Sequence, residues 1–103
     1  MLGPGKARLL EAIRDTGSIS AAGRAMEMSY KRAWMLVEEM NAAFQDPLVD
    51  STRGGPGGGG ARVTEAGLRV LALYRSVQAT AALAASEDIA ALKAMLRGPA
   101  GGI

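Results

Sequence analysis

Cysteine and histidine are both absent from the 103-residue sequence. Without cysteine the chain has no disulfide framework, thiolate metal site or cysteine nucleophile, and without histidine it lacks the usual general base near neutral pH. No apolar run approaches the roughly 18 residues of a membrane-spanning helix, and no signal-peptide pattern opens the chain. We therefore expect a cytoplasmic protein that uses no cofactor, spans no membrane and is not an enzyme.

Net charge is also small, at +2, and its placement is more informative than its size. Residues 1–35 carry more Lys and Arg than Asp and Glu, whereas an acidic block follows at Glu38, Glu39, Asp46 and Asp50. A polyanionic partner such as DNA is therefore expected to contact the basic N-terminal third of the chain. The length suits a domain with one modest core.

Helical spacing of apolar residues predicts two short helices in the first third of the chain. Pro4 suits a first helical turn, and the helix that it opens is expected to end at Gly17. Ser18 and Ser20 are both candidate N-caps of a second helix, which is expected to end near Met26.

A third helix is predicted after a tight turn at Glu27 and Met28. Ser29 is placed to cap this helix, and Pro47 lies just beyond its expected end near Gln45. Two short helices joined by such a turn predict a helix-turn-helix. The apolar stripe that faces the core is expected to consist of Ala33, Val37, Met40 and Phe44.

Glycine is concentrated in one segment, Gly54-Gly55-Pro56-Gly57-Gly58-Gly59-Gly60, with Arg53 and Arg62 on either side. Residues 48–51 and 61–64 suit strands, so an antiparallel hairpin, or wing, is predicted. Glycines let backbone amides approach phosphate closely, and the two arginines supply positive charge. The alternative is a flexible tip without a ligand. A nucleotide-binding loop is set aside, because its Gly-Lys-Ser/Thr ending is absent.

A long helix is predicted over residues 66–85, with Thr64 as its cap. Its apolar positions surround most of the helix, and Val70, Val77 and Ala84 recur seven residues apart. A helix that is apolar on two sides packs against two partners, so a homodimer is expected. The predicted dimer surface comprises Leu68, Val70, Leu71, Leu73, Tyr74, Val77 and Leu83.

Ser86 is predicted to cap a final short helix that ends before Gly98. The expected fold is therefore mostly α with a small β-hairpin. It consists of a winged helix-turn-helix DNA-binding domain over residues 1–65, a long helix and a short terminal helix for dimerisation over 66–97, and a flexible tail over 98–103.

The third helix is the predicted DNA-reading element, because a helix fits the major groove and its N-terminal residues reach base edges. Lys31 and Arg32 can donate to guanine or phosphate, while Tyr30 or Trp34 can contact a thymine methyl. The alternatives are a solvated face for the two basic residues, core or dimer packing for the two aromatic residues, and helix capping for the early serines. The candidate DNA contacts are Ser18, Ser20, Ser29, Tyr30, Lys31, Arg32 and Trp34 in the helices, and Arg53, Gly54, Gly55, Gly57, Gly58 and Arg62 in the wing.

A second hypothesis is a protein-interaction module that partners another regulator without reading DNA itself. Methionine side chains adapt to varied surfaces, and several lie in the helix-turn-helix region. These are Met26, Met28, Met35 and Met40, although most of them have a simpler place in or near the core.

Four strings of residues together resemble a known family. They are Gly17-Ser18-Ile19-Ser20-Ala21-Ala22, Ser29-Tyr30-Lys31-Arg32-Ala33-Trp34 and the glycine-rich segment, followed by Val63-Thr64-Glu65-Ala66-Gly67. With them, residues 17–67 resemble the N-terminal DNA-binding domain of the ModE-type molybdenum-responsive regulators, a branch close to the LysR-type winged helix-turn-helix.

This resemblance implies a dimer on a roughly palindromic operator in double-stranded DNA, with the third helix in the major groove and the wing on the flanking minor groove. Full-length regulators of this type sense molybdate through additional C-terminal domains, for which 103 residues leave no room. The resemblance therefore implies one of three situations. A separate effector-sensing protein supplies the signal, the chain binds DNA constitutively, or the chain is a fragment.

Overall fold

The structure is a computed structural model that describes residues 2–51 and 60–97. The elements in these residues are α1 (Pro4–Thr16), α2 (Ile19–Ala25), α3 (Tyr30–Ala43), β1 (Val49–Ser51), β2 (Ala61–Val63), α4 (Glu65–Ala84) and α5 (Ser86–Ala94). The two strands are antiparallel, and Val49 pairs with Val63. The predicted fold, mostly helical with a small hairpin, is confirmed. The predicted tail over 98–103 lies outside the described residues.

The chain divides into two compact units, Met1–Leu73 and Tyr74–Ile103. The boundary lies inside α4, so the first unit extends beyond residue 65, where the sequence analysis placed the end of the DNA-binding domain. Apolar side chains from the first three helices, the hairpin and the start of α4 form the core of the first unit. The buried core residues are Ala7, Leu9, Leu10, Ile13, Ile19, Ala22, Ala33, Val37, Met40, Leu48, Val49, Val63 and Leu71.

The starts of α2 and α3 are set by side-chain caps. The Ser18 hydroxyl accepts a hydrogen bond from the Ala21 amide at 3.1 Å, and the Ser29 hydroxyl accepts one from the Arg32 amide at 3.1 Å. Between α1 and α2, Gly17 has a φ of 69°, a left-handed conformation in which glycine avoids the steric cost of a Cβ atom. These features fix the residues at which α2 and α3 begin.

Two expected details of these helices differ in the structure. Ser20 is not a cap, because it lies inside α2, where its hydroxyl accepts a hydrogen bond from the Arg24 guanidinium at 2.8 Å. Phe44 is not part of the α3 stripe, because the helix ends before it and its backbone is extended, with φ −109° and ψ 158°. Pro47 disfavours helical backbone at the residue before it, Asp46, and the helix ends three residues earlier, at Ala43.

Thr64 and Gly67 lock the start of α4 onto the hairpin. The Thr64 hydroxyl donates to the Pro47 carbonyl at 2.7 Å and accepts from the Gly67 amide at 3.0 Å, so the predicted cap is confirmed. A Cβ atom at Gly67 would collide with the Leu48 carbonyl and lie 2.6 Å from Cγ1 of Val63. Glycine therefore stands inside the helix because the hairpin approaches the helix backbone too closely for a side chain.

The predicted dimer surface on α4 is mostly exposed, and Leu71 is the exception. Leu71 is 3% exposed and belongs to the core of the first unit. It lies one helical turn after Gly67, which is also buried, so both face the hairpin side of α4. The other predicted residues are exposed at Leu68, Leu73, Val77 and Leu83 and half-buried at Val70 and Tyr74.

The short helix α5 begins at Ser86, which is not its cap. The preceding residue, Ala85, has near-helical dihedral angles, φ −97° and ψ 5°, and makes no side-chain capping bond. A capping hydroxyl needs an extended residue before the helix, and the short step between α4 and α5 provides none. No described helix is both long and apolar enough to cross a membrane.

Candidate nucleic-acid interface

The first half of α3 is exposed on one side because its other side is anchored in the core. Ala33, Val37 and Met40 are buried, as the predicted stripe requires. On the opposite side, Lys31 is exposed and Met35 is 49% exposed. A helix anchored in this way can enter a DNA groove without disturbing the packing beneath it.

Tyr30 and Trp34 form an edge-to-face pair on one flank of α3, with ring centroids 6.1 Å apart. Tyr30 is 57% exposed, whereas Trp34 is half-buried. One helical turn separates the two residues, so their rings make a continuous apolar edge. Trp34 therefore packs partly against the protein while the Tyr30 ring remains accessible beside the basic residues.

Arg32 lies on the other flank of α3, near the first turn of α1. An open groove of about 310 Å³ separates these elements and is lined by Gly3, Gly5, Lys6, Met28, Arg32 and Leu36. The Lys6 ammonium also lies 2.9 Å from the Glu39 carboxylate. This hydrogen bond and the lysine charge hold the pKa of Glu39 below its usual value. The Lys6 ammonium offsets the negative charge of Glu39 on α3. The first half of this helix carries the positive charges of Lys31 and Arg32.

A tight turn fixes α3 relative to α2. Glu27 has a φ of 56°, a left-handed conformation that costs a non-glycine residue free energy. The Met28 amide donates to the Gly23 carbonyl at 2.9 Å and closes the turn. A Cβ atom at Gly23 would lie 3.1 Å from Cβ of Ala33, so glycine permits the close approach of the two helices. The turn predicted at Glu27 and Met28 is confirmed.

The hydroxyl groups of α2 and α3 have specific partners. Those of Ser18 and Ser29 cap their helices, and a capping hydroxyl can still donate its proton to a phosphate. The Ser20 hydroxyl accepts from Arg24, an exposed basic residue in the last turn of α2. The sequence analysis did not select Arg24. Its position on the helix that crosses the DNA backbone in a helix-turn-helix could have identified it.

Arg62 lies on the exposed side of the hairpin. Its guanidinium is 3.4 Å from the Asp50 carboxylate on the paired strand, and the arginine side chain is 80% exposed. The adjacent Ala61 amide donates to the Gly17 carbonyl at 2.9 Å, which joins β2 to the turn before α2. The other predicted wing contacts, which are Arg53, Gly54, Gly55, Gly57 and Gly58, lie outside the described residues.

Asn41 joins α3 to the hairpin, a role that the sequence analysis missed. Its Oδ1 accepts hydrogen bonds from the Leu48 amide at 2.8 Å and the Val49 amide at 3.1 Å. Its Nδ2 donates to the Val49 carbonyl at 3.1 Å. No local pattern predicts such a contact, because the partners lie in a separate strand and are backbone atoms.

The sequence from α1 to the start of α4 matches a known family. Residues 5–68 match the family described as "Bacterial regulatory helix-turn-helix protein, lysR family". The chain belongs to the LysR family. As a LysR-type protein it is a DNA-binding helix-turn-helix domain, and the expectation that it is not an enzyme agrees with a family of regulators.

Among curated proteins, this LysR-type chain is similar to ModE and its relatives. It is 44% identical over 71 residues to the molybdenum transport protein ModE of Azotobacter vinelandii, a match that covers 69% of this chain and 26% of that protein. It is 48% identical over 71 residues to the molybdenum-pterin-binding protein MopA of Rhodobacter capsulatus, covering 69% and 27%. The DNA-binding transcriptional dual regulator ModE of Escherichia coli K12 is 42% identical over 71 residues, covering 69% and 27%. The matched segment thus spans about a quarter of these relatives.

Solved structures of LysR-type proteins share the fold. The protein in the CbnR_DBD–DNA complex has a TM-score of 0.66 at 19% identity, and the match covers 88% of this chain and 99% of that one. Full-length LysG from Corynebacterium glutamicum with bound Arg has a TM-score of 0.64 at 22% identity, covering 91% and 30%. At these identities the likeness establishes the fold of the LysR-type domain alone.

The alternative of a methionine-rich interaction module is not favoured. Of the four methionines on which it relied, Met40 is buried in the core. Met26 and Met28 are half-buried, and Met35 is the exposed member of the set. The methionines thus offer one largely exposed side chain among four, and the LysR-type family match accounts for the same region as a helix-turn-helix.

Proposed function

We propose that this LysR-type domain binds an operator in double-stranded DNA as a homodimer, with α3 in the major groove. The observation that carries the proposal is the first half of α3. Tyr30, Lys31 and Arg32 are exposed side by side there, on a helix whose opposite face is buried. Lys31 and Arg32 donate to guanine or phosphate, and the Tyr30–Trp34 edge contacts a thymine methyl.

The hairpin is proposed to contact the DNA backbone beside the groove that α3 enters. Arg62 supports this assignment, because its side chain is mostly exposed and its bond to Asp50 is a long surface ion pair that a phosphate can replace. Arg53 and the glycines of segment 54–60 are assigned to the same contact from their sequence alone. Ser18 and Ser29 donate their hydroxyl protons to phosphates that flank the groove.

The homodimer is proposed to form through the exposed and half-buried apolar residues of α4. Val77 is 66% exposed and Leu83 is 76% exposed. Burial of each such side chain against a second copy contributes about 1.5–3 kcal/mol, and several are needed to offset the roughly 4–15 kcal/mol cost of association. The surface assigned to the partner is Leu68, Val70, Leu73, Tyr74, Val77 and Leu83, without Leu71.

The biological role that we propose is transcriptional regulation in the cytoplasm, at an inverted-repeat operator. A two-fold symmetric dimer requires two half-sites about one helical turn of DNA apart. The name of the Escherichia coli relative supports a regulatory role. Effector sensing is assigned to a separate protein or to further domains, since the match covers the helix-turn-helix part of much longer relatives.

Selection of binding sites from random duplex DNA tests this function. The expected result is an inverted repeat with half-sites about ten base pairs apart, bound with a steep dependence on salt concentration. Recovery of a single half-site would contradict the homodimer. No enrichment over random DNA would contradict sequence-specific reading by this chain alone.

Substitution of the reading residues locates the contact on α3. Lys31→Ala combined with Arg32→Ala is expected to reduce discrimination between the selected site and random DNA by about tenfold or more, since base contacts are lost. The matched control is Lys93→Ala with Arg97→Ala, which removes the same charge from exposed positions outside the first unit. Equal loss of discrimination in both variants would place the reading face elsewhere.

A further inference from the structure

Asn41 connects α3 directly to the first strand of the hairpin. One amide group makes three hydrogen bonds there, with the Leu48 amide, the Val49 amide and the Val49 carbonyl, at 2.8–3.1 Å. Asparagine has two acceptor and two donor positions, so the side chain uses most of its hydrogen-bonding capacity on this segment. The contact resembles a short stretch of strand pairing supplied by a helix side chain.

The segment that Asn41 holds is buried at the base of the hairpin. Leu48 and Val49 are core residues with almost no exposed surface. Two backbone N–H groups and one carbonyl in this segment therefore depend on the Asn41 amide for partners away from water. Loss of the amide leaves these groups unsatisfied, and the strand must shift or admit water to recover hydrogen bonds.

Because β1 and β2 are paired, the position of Val49 determines where Arg62 lies relative to α3. Val49 pairs with Val63, and the next pair in the same register is Asp50 with Arg62. The Arg62 guanidinium thus stands one residue pair from the strand position that Asn41 fixes, and it also contacts Asp50. A displacement of β1 relative to α3 would therefore move Arg62 relative to α3.

Asn41 also lies on a defined side of α3. It follows Trp34 by seven residues and Tyr30 by eleven, so the three share one flank of the helix. The hairpin base has two other backbone hydrogen bonds, one to the turn before α2 and one between its own two sides. The Ala61 amide donates to the Gly17 carbonyl, and the Thr64 amide donates to the Leu48 carbonyl at 3.0 Å. Asn41 provides the hydrogen bonds that relate the hairpin to the reading helix itself.

We propose that Asn41 is a positioning residue for DNA binding, which holds the hairpin and Arg62 at the distance from α3 that lets both elements contact one duplex. The inference rests on the proposed contact between the hairpin and the DNA backbone. Asn41 does not touch DNA, and it acts through the placement of Arg62. The DNA contacts of Arg62 and of α3 are therefore energetically coupled through Asn41.

A double-mutant cycle on the full chain measures how far the contribution of Arg62 to DNA binding depends on Asn41. Arg62→Ala is introduced into the parent, into Asn41→Ala and into Ile13→Val, which weakens a buried core position of α1. Affinity is measured by fluorescence anisotropy with the duplex recovered by site selection, or with a mixed-sequence duplex of equal length if none is recovered. Circular dichroism confirms that each variant is folded at the assay temperature.

Arg62→Ala is expected to weaken binding about fivefold in the parent and in Ile13→Val, and less than about twofold in Asn41→Ala. Equal losses in all three backgrounds would overturn the positioning role and leave the hairpin contact intact. No loss in the parent would overturn the hairpin contact and this inference with it. If Asn41→Ala only destabilises the fold, it changes only the folded fraction. Arg62→Ala then weakens binding about fivefold in that background too, as it does in Ile13→Val.

If Asn41→Ala does not fold, Asn41→Asp takes its place in the cycle. The aspartate keeps the size of the side chain and the two accepted hydrogen bonds, but it sets a carboxylate oxygen against the Val49 carbonyl in place of the donated bond. A smaller loss of affinity from Arg62→Ala in the Asn41→Asp background than in the parent supports the positioning role. A full loss of about fivefold in that background would overturn it.

Discussion

The two units of the chain differ in how far their apolar side chains are buried. In Met1–Leu73 the apolar residues of three helices, a hairpin and the start of α4 converge on a shared core. In the described part of Tyr74–Ile103 no large apolar residue is buried: most are exposed, and Tyr74 and Ile89 are half-buried. The first unit has enough elements to enclose a core, whereas a helix and a short helix alone do not.

This difference separates two tasks. The first unit can hold α3 rigidly by itself, because the buried face of α3 lies in a complete core. The second unit gains burial for its apolar residues when another surface covers them, and the proposed second copy supplies one. The helix proposed to read DNA and the surface proposed to form the dimer thus have different sources of stability, and this difference can be tested.

Truncation of one leucine in each unit gives the largest expected contrast. Leu10 is fully buried, so Leu10→Ala is expected to lower the free energy of unfolding by about 2–5 kcal/mol through lost burial and a residual cavity. Leu83 is largely exposed, so Leu83→Ala in dilute monomer is expected to cost within about 0.5 kcal/mol. Thermal unfolding followed by circular dichroism at low protein concentration measures both, and similar losses would remove the contrast between the units.

Protein concentration gives the next contrast. If a second copy covers α4, the stability of the dimer is expected to rise by about 1.4 kcal/mol for each tenfold increase in concentration. Val77→Glu with Leu83→Glu places charge on the exposed apolar surface and is expected to give a monomer in sedimentation equilibrium, with concentration-independent unfolding.

The control for this variant is Gln78→Glu with Ala82→Glu, which adds the same charge at exposed positions of α4. By helical periodicity, Gln78 lies about 100° and Ala82 about 140° around the helix axis from Val77. The control is expected to retain the mass of the parent and its concentration dependence. A monomeric parent, or equal dissociation of both variants, would contradict the proposed dimer surface.

The contrast also explains which features the sequence could predict. Capping residues and apolar spacing act within a few residues, so the sequence predicted the helix-turn-helix, the caps at Ser18, Ser29 and Thr64, and the hairpin. Periodicity on α4 predicted two apolar sides but did not separate Leu71 from its neighbours. Only the packing of α4 on the hairpin beside Gly67 decides that Leu71 belongs to the core.

Contacts between distant segments were the main features that the sequence did not predict. Asn41 looks like an ordinary polar residue near the end of α3, and its partners are backbone atoms at the start of the hairpin. The Lys6–Glu39 ion pair likewise joins α1 to α3 across a turn of the fold. Such pairs depend on how one element packs against another, which the spacing of residues within a single element does not show.

The smallest expected effect tests whether a surface ion pair helps to join the elements of the first unit. The Lys6 ammonium donates to the Glu39 carboxylate and holds its pKa below the ordinary value of 4.5. Because the folded-state pKa is depressed, the stabilisation from this pair is complete above about pH 4.5 and is lost as pH falls through the folded-state pKa.

Lys6→Gln is expected to raise the midpoint of the Glu39 carboxylate, followed by NMR, toward 4.5 and to remove this part of the pH dependence. Lys93→Gln removes the same charge from α5 and should leave the Glu39 midpoint unchanged. Any change in stability should be small, since exposed ion pairs contribute little, and a Glu39 midpoint insensitive to Lys6→Gln would leave apolar packing and the hydrogen bonds of Asn41 and Thr64 to hold the first unit together.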